Sequence, residues 1–178
     1  MSVTEKTTVE ARPKIDKGLD DVYVKESSIC LVDGVKGRLL YRGWDIRDLA
    51  EHSSFEETVY ILIHGRLPTK SELAEARQAF AENRAIGPEV VKLLRCMPAD
   101  APPIDVLRTA VSYASNFDKE RDDPTRAANM RKAQRLIGKF PTLVAAAQRI
   151  REGKRPVPPD TSLGIADDFL RMLTGKKP

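Results

Sequence analysis

The two histidines, His52 and His64, are the only imidazoles in the sequence and the first candidates for catalysis or metal binding. They fall on separate predicted helices, without the H-x-x-x-H or H-E-x-x-H spacing that brings two rings to one metal ion. His64 directly precedes Gly65, where a cationic ring favours the carbonyl end of a helix dipole. A helix-terminal role explains His64 without any chemistry, and we expect neither histidine to hold a metal.

The other reactive side chains form no recognised catalytic pattern either. Cys30 and Cys96 stand alone, without C-x-x-C or Cys–His spacing, so we expect buried free thiols rather than a disulfide framework or a zinc site. The sequence also contains no G-x-S-x-G, no phosphate-binding P-loop and no G-x-G-x-x-G. We therefore assign no catalytic, cofactor-binding or metal-binding residue.

The segment from Lys119 to Arg155 carries the most unbalanced charge, with eleven Lys and Arg against four Asp and Glu. Phosphate-bearing ligands are the natural partners of such a patch. A solvated face of an amphipathic helix gives the same pattern, however, and both interpretations apply to Arg126, Lys132, Arg135, Lys139, Arg149 and Arg151. Because no recognised nucleic-acid reader motif is present, we expect no nucleic-acid partner.

The composition is that of one soluble domain or a large piece of a bigger one. The chain has 178 residues and a net charge of +4, with 41% apolar and 31% charged residues, which argues against wholesale disorder. The longest apolar runs are about five residues, far below the ~20 of a membrane-spanning helix. Residues 1–17 lack an apolar signal core and predict a flexible tail. We expect a cytoplasmic protein with no membrane partner.

The remaining residues, 18–178, predict a mainly helical domain with one small hairpin. The hairpin is predicted over residues 22–43, where Asp33-Gly34 and a second glycine at 37 interrupt two β-rich stretches. Caps and breakers then divide residues 45–175 into about seven helices. Their clearest signals are two capping boxes, the stops at glycines and the prolines at helix starts: Ser54 with Glu57, Thr69 with Glu72, Gly65, Gly175, Pro88, Pro103 and Pro124.

The longest helix is predicted from about Thr125 to Glu152, with a kink at Pro141. Apolar residues recur along it every three or four positions and are predicted to face the core: Met130, Ala133, Ile137, Phe140, Val144 and Ala147. Three alanines, 145–147, leave a flat surface that another helix can approach closely. A wide apolar stripe also predicts a buried helix at residues 104–116, and a last helix is predicted from about Thr161 to Leu173.

Four separated strings, in order, resemble the citrate synthase family, particularly its archaeal and bacterial short forms. The first runs from Ser27 to Leu73 and contains DGVKGRLLYRGWDI, followed by FEE and GRLPT. The later ones are IDVLRTAVS at 104–112, RLIGKFPTLVAAAQRIREG at 135–153 and DDFLRMLTGKKP at 167–178. Ile104 stands where the family more often has Met, and Pro102 where it often has His. The resemblance covers residues 18–178 and implies the N-terminal part of the family's large domain.

The resemblance also implies the chemistry and where its residues lie. Citrate-type condensation uses a carboxylate to deprotonate the methyl group of acetyl-CoA, while imidazoles stabilise the enol and polarise oxaloacetate. In the family, these residues and the substrate arginines follow the segment that resembles 167–178, and neither His52 nor His64 matches one of them. We therefore expect the chain to be inactive alone and to need a partner chain with the catalytic half. Acetyl-CoA would be a substrate of the completed enzyme, with no tightly bound cofactor.

The resemblance further implies that helices 104–116 and 125–152 pack across a homo- or heterodimer, to which the alanines at 145–147 would contribute. Two other interpretations stay open. In the first, the chain is a non-catalytic helical interaction or regulatory module. In the second, it is a truncated remnant of the family. The donor, acetyl or propionyl, is not indicated by these residues.

Overall fold

Three short strands precede seven helices in the computed structural model, which describes Gly18 and residues 25–176. Strands β1 (Cys30–Asp33), β2 (Arg38–Tyr41) and β3 (Trp44–Asp45) form an antiparallel sheet in the order β1-β2-β3. The mainly helical fold and the hairpin are confirmed. Strand β3 was not predicted. With three strands, the described part of the chain is not purely helical. The predicted tail at 1–17 and the start of the predicted hairpin at 22–24 lie outside the described residues.

The helices follow the predicted caps closely. Both capping boxes form, and Gly65 and Gly175 end their helices with φ of 78° and 75°. The last helix begins later than predicted because residues 161–163 form turns ahead of Gly164. The seven helices are α1 (Ile46–His52), α2 (Phe55–His64), α3 (Lys70–Glu82), α4 (Pro88–Cys96), α5 (Pro103–Ser115), α6 (Arg126–Arg151) and α7 (Ile165–Thr174).

Helix α6 is the central element, and two apolar clusters form around it. One joins α4, α5 and α6 through Val90, Leu94, Val106, Ala110, Leu143 and Ala146. The other joins α2, α3 and α7 through Val59, Phe80 and Ile165, with Ile137 of α6 against it. Among the helices of the described residues, none is both long enough and apolar enough to cross a bilayer.

The burial of α6 corrects the sequence prediction in two respects. Phe140 and Val144, predicted to face the core, are 38% and 37% exposed. Ala145 and Ala146 are instead buried within the chain, so they form no free surface for a second subunit. The periodicity marks apolar positions but cannot tell which apolar face of a helix its own chain covers. The helix continues through Pro141, and the predicted kink there stays a prediction.

A buried ion pair ties the end of α3 to α7. Arg84 Nη1 donates to Asp168 Oδ2 at 3.1 Å and to the carbonyl of Asp160 at 3.0 Å. Asp168 is fully buried and also accepts from Arg171 and from the backbone N–H of Asp160. The hydrogen bonds from Arg84, Arg171 and the N–H of Asp160 offset the cost of burying the charge of this carboxylate.

Candidate interaction surface

The two histidines have separate surroundings. His52 is exposed, with Nε2 3.6 Å from Glu51. His64 lies in the last turn of α2 and stacks on the ring of Tyr60, with a centroid distance of 4.1 Å. In the part of the chain that the structure describes, no three His, Cys, Asp or Glu residues are grouped so that they could hold a metal ion. The structure thus brings no pair of imidazoles together.

Both cysteines are free, but the prediction that they are buried is wrong. Cys30 lies on the edge strand β1, where three of the four residues are exposed. Cys96 is the last residue of α4, two positions after the buried Leu94 and therefore on the opposite side of the helix. Position on an edge strand and at a helix end explains their exposure, and neither is visible in the spacing of the cysteines.

Most basic residues of the segment 119–155 bind acceptors within the chain. Arg135 pairs with Asp118 at 2.9 Å and with Glu120 at 2.8 Å, and Arg131 pairs with Glu120 at 2.5 Å. Lys132 donates to the carbonyl of Asp123 at 2.7 Å. These contacts fasten the loop before α6 onto the helix, which favours a structural role over a phosphate-binding patch.

Glu120 makes this fastening dependent on pH. Its hydrogen bonds from Arg131 and then Arg135 lower its pKa to about 2, from an ordinary 4.5. A lowered pKa in the folded state adds stability at pH values above the unfolded pKa, and that stability is lost as pH falls from 4.5 through about 2.

We expect Glu120→Gln to lower the melting temperature at pH 7, and the difference in melting temperature from wild type to close as pH falls from 4.5 through about 2. Thermal unfolding between pH 7 and 2 measures it, and a gap that is constant with pH would contradict it.

Helix α6 carries a stripe of partly exposed apolar residues. The stripe consists of Leu136, Phe140 and Val144, which are 41%, 38% and 37% exposed. Their spacing of four residues places them on one side of the helix. We call these three residues the α6 stripe.

Two apolar hollows adjoin the α6 stripe, the first lined by all three of its residues and the second by Val144 alone. One, of about 560 Å³, lies between α2, α6 and α7 and is lined by Phe55, Phe140, Val144 and Phe169 among others. The other, of about 500 Å³, lies between α4, α5 and α6 and includes Ile104, Leu107 and Val144. Val144 lines both hollows, so they form one continuous surface.

This surface suits a partner rather than a reaction. Its two hollows are lined mainly by aliphatic and aromatic side chains, with Arg95, Arg151 and Gln148 at one rim. A catalyst needs positioned nucleophiles or acid–base groups, whereas a contiguous exposed apolar area is typical of a surface that another polypeptide covers. The apolar spacing along the helix identified Phe140 and Val144 but predicted that they face the core, whereas both are partly exposed.

Comparison with known proteins identifies the family of the chain. A family model described as "Citrate synthase, C-terminal domain" matches residues 18–178. The chain is 40% identical over 171 residues to a 2-methylcitrate synthase of Mycobacterium tuberculosis and 42% identical over 163 residues to citrate synthase 2 of Bacillus subtilis. These alignments cover 96% and 91% of this chain but 43% of each relative.

The fold is similar to solved citrate synthases as well. The enzyme from Pyrobaculum aerophilum matches with a TM-score of 0.85 and 34% identity, over all of this chain and 47% of that one. The enzyme from Thermoplasma acidophilum, solved with carboxymethyl coenzyme A and oxaloacetate, matches with a TM-score of 0.86 and 25% identity. The match covers 92% of this chain and 43% of the Thermoplasma acidophilum enzyme.

Fold and surface together define a mainly helical chain with a partly exposed apolar stripe on α6. The match over residues 18–178 makes the chain a member of the citrate synthase family. It spans less than half the length of the relatives it matches.

Proposed function

We propose that this chain is the N-terminal half of a citrate synthase-like acyltransferase that joins acetyl-CoA to oxaloacetate to give citrate. It supplies scaffold and association surfaces, and a partner chain supplies the catalytic half. The main support is that the match covers almost the whole of this chain but only 43–47% of the length of the relatives cited.

The α6 stripe and its two hollows support the need for a partner. A stripe with about 40% exposure at three successive helical turns leaves apolar area in water that a completed domain would bury. Helix α5 carries a further exposed apolar residue, Ile104, at 69%. Helices 104–116 and 125–152, proposed as the dimer helices, both contribute to this surface.

The proposed division of labour follows from the chemistry. Condensation requires a carboxylate near the acetyl-CoA methyl group and donors at the oxaloacetate carbonyl. His52 and His64 do not converge with each other, and the α6 stripe carries no titratable group. In this proposal, acetyl-CoA and oxaloacetate bind only after the catalytic half has docked.

Replacing Val144 by arginine tests the docking surface. We expect Val144→Arg to weaken association with a separately produced C-terminal half of Bacillus subtilis citrate synthase 2 by more than about tenfold, because the charge would be buried in the interface. Arginine is a good helix former, so an exposed position on α6 should tolerate it. Light scattering after size-exclusion chromatography measures the complex.

The matched control is Val35→Arg, the same substitution at a hairpin position that is 99% exposed. It should associate as wild type does. Equal association of wild type, Val144→Arg and Val35→Arg would contradict docking on the α6 stripe. Absence of association even for the wild-type chain would favour a separate interaction module or a remnant.

A further inference from the structure

A further hollow, of about 450 Å³, lies between the end of α5, the loop that follows it and the first half of α6. Part of its lining is apolar, with Ala114, Phe117 and Leu136, and most of its other lining residues are charged. Among the described residues, Leu136 is the only one that it shares with the two hollows of the docking surface. The hollow therefore borders the α6 stripe but is otherwise separate from it.

Lys139 lines this hollow without a carboxylate partner among the described residues. The two acidic residues of the lining, Asp118 and Glu120, are both held by Arg135, which lies one turn before Lys139 on α6. Arg135 takes both carboxylate oxygens of Asp118, at 2.9 Å each. Because a neighbouring cation occupies these carboxylates, the amine of Lys139 is left without an ion pair.

The surroundings of Lys139 favour the neutral form of its amine. Partial burial lowers the pKa of Lys139 below its ordinary 10.5, and the charge of Arg135 lowers it further, while the charge of Asp118 acts in the opposite direction. Only the neutral amine is a nucleophile, and a lysine that is partly desolvated beside another cation is activated in this way. Lys139 is therefore suited to covalent chemistry.

The other cations of the lining select the kind of reagent. Lys119 and Lys132 form no ion pair with a carboxylate in the part of the chain that the structure describes. Lys132 donates to the backbone carbonyls of Arg121 and Asp123, which leaves its charge without a paired carboxylate. Unpaired cations around one hollow attract a polyanionic reagent. An acyl-CoA thioester joins phosphate groups to an electrophilic carbonyl.

We propose that Lys139 is an acylation site for acyl-CoA thioesters, whose phosphate groups are attracted by Lys119 and Lys132. The neutral Nζ attacks the thioester carbonyl carbon, the carbon–sulfur bond breaks as the amide bond forms, and CoA leaves as a thiolate. The proton that the amine loses balances the one that the thiolate takes up. The inference rests on the proposed function only for the donor, since acetyl-CoA is the thioester that the completed enzyme would consume.

The test is incubation of the full chain with acetyl-CoA at about pH 8 without oxaloacetate, followed by peptide mass spectrometry of each lysine. We expect Lys139 to be acetylated several times faster than Lys36, whose side chain is 78% exposed and pairs with Asp33. S-acetyl-N-acetylcysteamine, a thioester without phosphate groups, should show a smaller preference for Lys139. Equal rates at Lys139 and Lys36 with acetyl-CoA would overturn the site.

A pair of variants tests the attraction of the phosphate groups. Lys119→Gln should slow acetylation of Lys139 by acetyl-CoA and leave its acetylation by the small thioester unchanged. The control, Lys92→Gln on α4, removes an exposed lysine that pairs with Glu89 and should change neither rate. Equal slowing by the two variants, or with the two reagents, would overturn the role of Lys119.

Acylation and citrate formation are distinguishable in the same assay. Acylation of Lys139 needs no oxaloacetate and stops at one thiol per chain, so a blank without oxaloacetate subtracts it from the thiol release that citrate formation gives. It is measured on this chain alone, whereas the proposed function requires the catalytic half. Failure of either proposal therefore leaves the other standing.

Discussion

Replacing Asp168 by alanine is expected to destabilise the fold by about 3–5 kcal/mol, the usual cost of removing one partner of a buried ion pair. The change would leave the guanidinium of Arg84 buried at 3% exposure without its charge partner. It would also remove an acceptor from Arg171 and from the N–H of Asp160. Because α3 and α7 are joined here, the loss should affect the whole domain. Urea denaturation followed by circular dichroism measures it.

The matched control is Asp122→Ala. Asp122 pairs with Arg121 at 3.0 Å, but its side chain is 82% exposed, and exposed pairs contribute about 0–1 kcal/mol. If the urea concentration at the unfolding midpoint is the same for Asp168→Ala as for Asp122→Ala, the buried pair does not hold the helices together. Asp168→Asn, which keeps the shape and loses the charge, should fall between the two.

Replacing Gly138 by alanine is expected to cost about 1–3 kcal/mol, although alanine is the better helix former by about 1 kcal/mol. A Cβ atom at this position would lie 2.9 Å from the carbonyl oxygen of Phe80 and 3.3 Å from Asn83. The first contact is with backbone, which no side-chain rotation can relieve. Helix α3 would therefore have to move away from α6. The free energy of unfolding in urea reports the change.

Gly34→Ala is the control for Gly138→Ala. A Cβ at Gly34 meets nothing within 4 Å, and its backbone conformation is open to other residues. We expect this variant to be as stable as wild type or slightly more so, because alanine restricts the unfolded chain. A Gly138→Ala variant more stable than wild type would show that the α3–α6 contact is looser than the structure indicates.

Local signals predicted most of the helical fold, because caps act over three or four residues. Ser54 and Glu57 satisfy each other's backbone amides whatever the rest of the chain does, and the helix that they start was placed correctly. Strand β3 was missed because it has two residues, too few for a pattern. Its pairing with β2 depends on the turn at Arg42 and Gly43, both with positive φ.

The interaction surface was harder to predict because exposure is a property of the assembled helices. Phe140 and Val144 have the spacing of core residues. The sequence does not show that α3, α5 and α7 pack against other sides of α6 and leave these two residues partly exposed. The Arg84–Asp168 pair joins residues 84 positions apart and has no local signal. Both features follow from long-range packing, which periodicity does not encode.

The central proposal, an acyltransferase half that needs its catalytic half, is tested most directly by thiol release from acetyl-CoA in the presence of oxaloacetate. The chain is assayed alone and mixed with the C-terminal half of Bacillus subtilis citrate synthase 2. That enzyme's own N-terminal half serves as the positive control for the added half. We predict no release by this chain alone and release on mixing. Release by the chain alone, or none on mixing while the positive control is active, would contradict the proposal.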